Sequence, residues 1–156
     1  MKVLCRLANE DDLEQLAQMR WDFRMEEAEQ TSDAERAEFV DECAAFLRRG
    51  LSEKSWVYWV AEVDGEIVSH VFVQRIVKVP KPGRISDEFG YLTNVYSRPQ
   101  YRGKGIGFEL LQRVCKWARE IELEFVIVWP SDSSREFYRR AGFAPEHQAM
   151  ALFTKP

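Results

Sequence analysis

The chain has 156 residues, 46% hydrophobic, 31% charged and 13% aromatic, with 8 Gly and 6 Pro. A chain this long buries roughly 70% of its unfolded surface without a metal or disulfide staple, and the composition excludes disordered, collagen-like and membrane-spanning classes. Net charge is −4, which argues against general nucleic-acid binding.

The charge is unevenly spread. Residues 10–42 carry thirteen acidic and three basic side chains, whereas residues 98–119 carry six basic ones against Glu109 alone. The acidic stretch reads either as solvated helix faces or as a field that attracts a cationic ligand.

Residues 3–7 alternate with polar positions and predict a first strand. The next residues, 9–12, are acidic rather than apolar, so no signal peptide is expected. Asn9 with Asp12 gives an N-cap signal for a helix through about Met25, with Leu13, Leu16, Ala17 and Trp21 on its stripe. Ser32 with Glu35 forms a capping box for a second helix that stops at Gly50. Residues 56–63 and 66–79 flank Asp64-Gly65, the pair a type I′ hairpin turn prefers. Residues 80–83, Pro-Lys-Pro-Gly, open a loop to about Glu88, and 91–97 form the next strand.

A helix follows with Ile106, Leu110, Leu111, Val114, Trp117 and Ala118 on its buried face. Residues 125–129 read as an interior strand closed by Pro130. Ser133 with Glu136 forms another capping box, for a short helix ended by Gly142, and 149–153 is a plausible last strand. The predicted order is β-α-α-β-β-β-α-β-α-β, one α/β domain over residues 1–156 around a mixed sheet.

The three cysteines, Cys5, Cys43 and Cys115, match neither a disulfide framework nor a metal knuckle, which favours a reducing cytoplasm. His70 and His147 lie far apart with no HExxH motif, so no metal is expected. The longest apolar runs are strand-sized, well short of the roughly 18 residues that span a bilayer.

Arg102-Gly103-Lys104-Gly105-Ile106-Gly107 joins a predicted strand to a predicted helix. Glycines there permit dihedrals that aim successive N–H groups into one concavity. The helix N-terminus, Arg102 and Lys104 add attraction for phosphate or diphosphate. The plainer alternative is a tight turn that allows close helix–sheet packing. A Walker A loop is excluded because Lys104 is followed by Gly105 rather than Ser or Thr, and the G-x-G-x-G spacing departs from the dinucleotide fingerprint.

The turn resembles the [RQ]-x-x-G-x-[GA] acetyl-CoA loop of the GNAT superfamily of N-acetyltransferases. Residues 92–97, Leu-Thr-Asn-Val-Tyr-Ser, resemble that family's fourth strand, and Tyr138 to Phe143 resembles its Tyr-x-x-x-Gly-Phe motif. The resemblance implies a mainly antiparallel mixed sheet whose fourth and fifth strands splay apart. It implies acetyl-CoA as cosubstrate, with the diphosphate held by Arg102, Gly103, Lys104, Gly105, Ile106 and Gly107. The pantetheine arm would bond to the main chain of Val95, Tyr96 and Ser97, with Tyr91, Thr93 and Val95 on one face, and Ser133 and Ser134 either bond it or cap the helix. Tyr138 would protonate the departing thiolate, or else is a core tyrosine. Ser131 stands where many members have Asn.

Tyr91 occupies the position of the family's usual glutamate base. That departure leaves Glu88, just before the strand, and His70, with an ordinary pKa of about 6.5, as candidates. The implied reaction is direct transfer to a primary amine in a ternary complex, with no nucleophilic cysteine. The acceptor is expected to be a small-molecule amine near residues 10–42, with Trp21, Phe23, Trp56, Tyr58 and Trp59 as candidate walls. A non-catalytic acyl-CoA-binding module and a peptide or protein acetyltransferase are the alternatives. No nucleic-acid or membrane partner is expected, and a homodimer stays open.

Overall fold

The computed structural model describes residues 1–28, 32–145 and 149–156; His147 lies outside them. Five strands form one sheet in the order β1 (Val3–Leu7), β2 (Trp56–Val63), β3 (Glu66–Val77), β4 (Glu88–Ser97) and β5 (Val126–Ile127). The first four pair antiparallel and β5 runs parallel to β4. At the β2–β3 turn Asp64 has φ 50° and Gly65 φ 83°, both positive as the hairpin signal requires.

Helices α1 (Leu13–Met25) and α2 (Asp33–Ser52) bury Leu13, Leu16, Met19 and Leu47 with Tyr58 and Phe72. Helices α3 (Ile106–Glu120) and α4 (Arg135–Arg140) build a second core in which Ile106, Leu110, Leu111 and Tyr138 meet Val71 and Leu92. The expected α/β class and mixed sheet are therefore present. No helix among the described residues is long and apolar enough to cross a membrane.

Several element boundaries differ from the sequence reading. The Asn9 capping box forms, but it opens a short 3-10 turn, Glu10–Asp12, ahead of α1. The Ser32 box forms as expected, yet α2 runs through Gly50 to Ser52. Gly50 is there for packing, since a Cβ would stand 2.5 Å from the Tyr58 hydroxyl, which itself donates to the Leu47 carbonyl at 2.9 Å. Strand β3 ends at Val77, and β4 begins at Glu88 rather than Tyr91.

The Ser133–Glu136 capping box does not form. Ser133 lies inside a 3-10 turn, Asp132–Ser134, closed by the Ser134 amide on the Ser131 carbonyl at 3.1 Å, and Glu136 faces Arg139 instead. Gly142, at φ 101°, does follow the end of α4. Residues 149–153 form no strand: Met150, Leu152 and Phe153 are exposed, and the segment joins no neighbouring ladder.

Candidate active site

Strand β5 pairs with β4 at Gly90↔Val126 and Tyr91↔Ile127 and then stops, while β4 continues to Ser97. A Cβ on Gly90 would come within 3.1 Å of Leu123 and Val73, so the close start of the pair needs glycine. Beyond it the strands fork as the resemblance implied, with the rings of Tyr91 and Trp129 edge-on at 5.2 Å.

The far arm of the fork contains a bulge. The β3–β4 register passes from His70↔Tyr96 to Phe72↔Thr93, so Asn94 and Val95 together oppose Val71. Asn94 takes φ 52°, a left-handed conformation that asparagine tolerates better than most residues. The extra residue reverses the inside–outside parity: Leu92 and Val95 both pack in the α3–α4 core, whereas Tyr96 packs under α1 and α2. Simple alternation placed Val95 on the face of Tyr91 and Thr93. The bulge instead brings it into one cluster with Tyr138, Ile106 and Val126.

Asn94 is held from two elements. Arg20 on α1 donates from Nη1 to its side-chain oxygen at 2.9 Å, and His70 on β3 bonds its carbonyl through Nδ1 at 2.7 Å. His70 is fully buried, and burial, opposed by the bond to Asn94, pulls its pKa down to about 4. The ring is neutral at pH 7. Its single proton is on Nδ1, because the carbonyl opposite can only accept. Nε2 is buried with no hydrogen-bond partner among the described residues, so His70 is no solvent-fed base.

The glycine turn follows the far end of β4 and leads into α3. Gly103 and Gly105 take φ 74° and 80°, and a Cβ on either would meet nothing within 4 Å. Gly105 is the N-cap of α3 with no side-chain cap, and its carbonyl accepts from Glu109 at 2.9 Å. The first-turn amides of Ile106, Gly107 and Phe108 have no intrahelical acceptor and lie at the positive end of the helix dipole. Gly107 differs: a Cβ there would lie 3.1 Å from the Ser97 hydroxyl, so this glycine lets α3 approach β4. The anion-nest and close-packing readings of the turn thus divide between its glycines. An open cradle of positive-φ backbone at a helix N-terminus fits a diphosphate.

The two basic side chains of the turn have partners. Lys104 Nζ lies 5.4 Å from the Tyr101 ring centre. Arg102 donates to the Ser97 carbonyl at 2.9 Å and to Glu26 at 2.7 Å, and lies over the Tyr96 ring, whose hydroxyl also donates to Glu26 at 3.0 Å. Burial, then Glu26, pushes the Tyr96 phenol up to about 12. An open groove here is lined by Asp22, Met25, Glu26, Tyr96, Arg98 and Gln100.

Tyr138 is buried, edge-on to Phe137 at 5.2 Å and Phe143 at 5.6 Å, and burial pushes its phenol up to about 12. Ser133 and Ser134 face Ser131, whose hydroxyl donates to Ser134 Oγ at 2.9 Å. Glu88 lies within the strand, not in a loop, with both carboxylate oxygens on Arg75 at 2.7 and 2.9 Å. Seven positions along an extended strand put it about 23 Å from Val95.

Four acids of the acidic stretch are ion-paired among the described residues: Asp12 with Arg6, Glu10 with Arg48, Asp22 with Arg36 and Arg98, and Glu26 with Arg102. Of the aromatic candidates, Tyr58 and Trp59 are core residues, and Trp21 and Trp56 pack on Phe39 and Phe46. Sequence reasoning missed Arg20, Asn94 and Glu26. The asparagine in mid-strand was the available sign of the bulge.

The family model described as "Acetyltransferase (GNAT) family" matches residues 13–143. A glucosamine 6-phosphate N-acetyltransferase of Trypanosoma brucei brucei is 31% identical over 88 residues, a match spanning 56% of this chain and 58% of that protein. A predicted acetyltransferase from Clostridium acetobutylicum, crystallised with acetyl-CoA, superposes with TM-score 0.77 at 24% identity over 97% of this chain and 96% of that one. A Trypanosoma brucei acetyltransferase does so with TM-score 0.65 at 27% identity, over 97% and 99% of the two chains. The family match runs from the first residue of α1 to just past α4, across every element that builds the fork and the turn, and the chain belongs to the acetyltransferase (GNAT) family.

Proposed function

We propose that the chain is an N-acetyltransferase that moves an acetyl group from acetyl-CoA to the primary amine of a small molecule, by direct attack within a ternary complex. The observation that carries this reading is the β4 bulge, which gathers Val95 and Tyr138 into one cluster at the mouth of the fork.

The amides of Gly103, Lys104, Gly105, Ile106 and Gly107 hold the diphosphate, and Arg102 joins them when it leaves Glu26. Main-chain groups of Val95, Tyr96 and Ser97 bond the pantetheine amides along the unpaired arm of β4, as an added strand would. Ser133 and Ser134 offer hydroxyls beside it. The Val95 amide faces the thioester oxygen, where negative charge grows as the amine nitrogen adds, and a fixed dipole needs little reorganisation to meet that charge. As the C–N bond forms and the C–S bond breaks, the Tyr138 hydroxyl gives its proton to sulfur. The amine's own proton passes to water at the fork, because Glu88 is remote and ion-paired and His70 is sealed in the core.

The Trypanosoma brucei brucei relative carries the name of a hexosamine phosphate acetyltransferase, which favours a small acceptor over a peptide. The three cysteines are free thiols, in keeping with a cytoplasmic reaction. The test is release of coenzyme A thiol from acetyl-CoA across a panel of amines. Turnover with a small amine supports the reading; coenzyme binding without turnover on any amine would instead favour a non-catalytic module.

A further inference from the structure

The structure holds four half-buried arginines among its described residues: Arg6, Arg20, Arg75 and Arg98. Three of them are neutralised. Arg6 bonds Asp12 and Glu62, Arg75 bonds Glu88, and Arg98 meets Asp22 and Glu66. Arg20 has no carboxylate partner among the described residues. Its polar contact is one donation from Nη1 to the neutral amide oxygen of Asn94, and its guanidinium lies 5.7 Å from the Phe23 ring centre. Arg24, one helical turn on, adds a second positive charge.

A guanidinium carries five N–H donors, and burying its charge without a counter-ion is costly. Burial and Arg24 both lower the Arg20 pKa, the direction expected where no anion compensates. The position matters as much as the charge. Asn94 is the neighbour of Val95 within the bulge, and its side chain turns to α1 while Val95 packs toward α4. Arg20 therefore lies on the opposite side of β4 from Tyr138, the α1 side on which the acceptor is expected.

We infer that Arg20 binds an anionic group, phosphate or carboxylate, carried by the acceptor amine, and so selects amines that bear one. This rests on the acetyl-transfer reading for the identity of the ligand. The exposed acids of α1 and α2 are compatible with it, since an acceptor with an ammonium and an anion meets both signs of charge.

The test uses matched sets of amines that differ at one group: glucosamine, glucosamine 6-phosphate and the 6-carboxylate analogue, and ethanolamine, phosphoethanolamine and β-alanine. Each is measured for binding by calorimetry on the coenzyme-A-bound protein and for thiol release from acetyl-CoA. In at least one set an anionic member is preferred over the neutral one by about 10- to 100-fold, the worth of a charge-assisted bond. The phosphate and carboxylate arms decide which anion it is. Arg20→Gln abolishes the preference, and Arg20→Lys, which keeps the charge but loses the fork, retains part of it. Asn94→Ala removes the partner of Arg20 but leaves its charge, so it keeps the preference while kcat falls. Equal or weaker use of the anionic members in every set overturns the inference, as does a preference that survives Arg20→Gln. A calorimetric preference without thiol release keeps the anion site and removes the transferase reading.

Discussion

Arg102 and Glu26 meet at a single nitrogen: Nη2 lies 2.7 Å from one carboxylate oxygen and 2.9 Å from the other, while Nε donates to the Ser97 carbonyl. On the proposed reading, Glu26 thus occupies the group that would face the diphosphate. Both side chains are partly exposed, so the pair is weak and screened by salt. Glu26→Gln is expected to tighten coenzyme A binding by about two- to fivefold at low salt, with the gain shrinking as salt rises. Calorimetry at two ionic strengths measures it, and unchanged affinity at both would show that Arg102 takes no part in holding the coenzyme.

Tyr138→Phe removes the hydroxyl proposed as proton donor and keeps the ring contacts to Phe137 and Phe143. It should lower kcat by about 100-fold and leave the KM for acetyl-CoA nearly unchanged. Burial raises the phenol from 10 to about 12, so Tyr138 stays protonated through neutral and mildly alkaline pH. The wild-type rate therefore shows no fall from this group below about pH 11. The stability linked to it is complete below pH 10 and is lost as pH rises through about 12. An unaltered kcat in the phenylalanine variant returns Tyr138 to a purely structural role.

His70 gives a stability prediction of opposite direction. Its pKa falls from 6.5 unfolded to about 4 folded, so below pH 6.5 the unfolded chain binds the extra proton first. The stabilisation is full above pH 6.5 and is lost as pH falls through about 4, roughly 3 kcal/mol across that window. Urea unfolding between pH 7 and 4 should show the decline, and His70→Gln should flatten it. Equal slopes in the two proteins would mean that other groups govern acid stability.

Gly105→Asp places a carboxylate in open space at the mouth of the turn and forces a non-glycine residue to φ 80°. Repulsion of the diphosphate should weaken coenzyme A binding by about 100-fold or more, with a smaller loss of thermal stability. Affinity within twofold of wild type would count against the backbone nest.

Much of this architecture was legible in the sequence, where local chemistry fixes local geometry. Asp64-Gly65 specifies its turn, Ser32 and Glu35 bond each other as their spacing demands, and Gly103 and Gly105 take the positive φ that the turn needs. The misreadings came from contacts distant in sequence. Gly50 reads as a helix stop, but it is kept for the Tyr58 hydroxyl. The Asn94 bulge has no local signature beyond the asparagine itself, because Arg20 and His70 stabilise it from other elements. Residues 149–153 form a short apolar run of strand length, and such a run cannot say whether a neighbouring strand is there to receive it.

The most direct measurement is a crystal structure of the protein with coenzyme A or acetyl-CoA. Diphosphate oxygens within hydrogen-bond reach of the amides of residues 103–107, the acyl carbonyl on the Val95 amide and sulfur beside the Tyr138 hydroxyl are the predicted result. A diphosphate bound away from the glycine turn, or a thioester outside the β4–β5 fork, contradicts the account at its root.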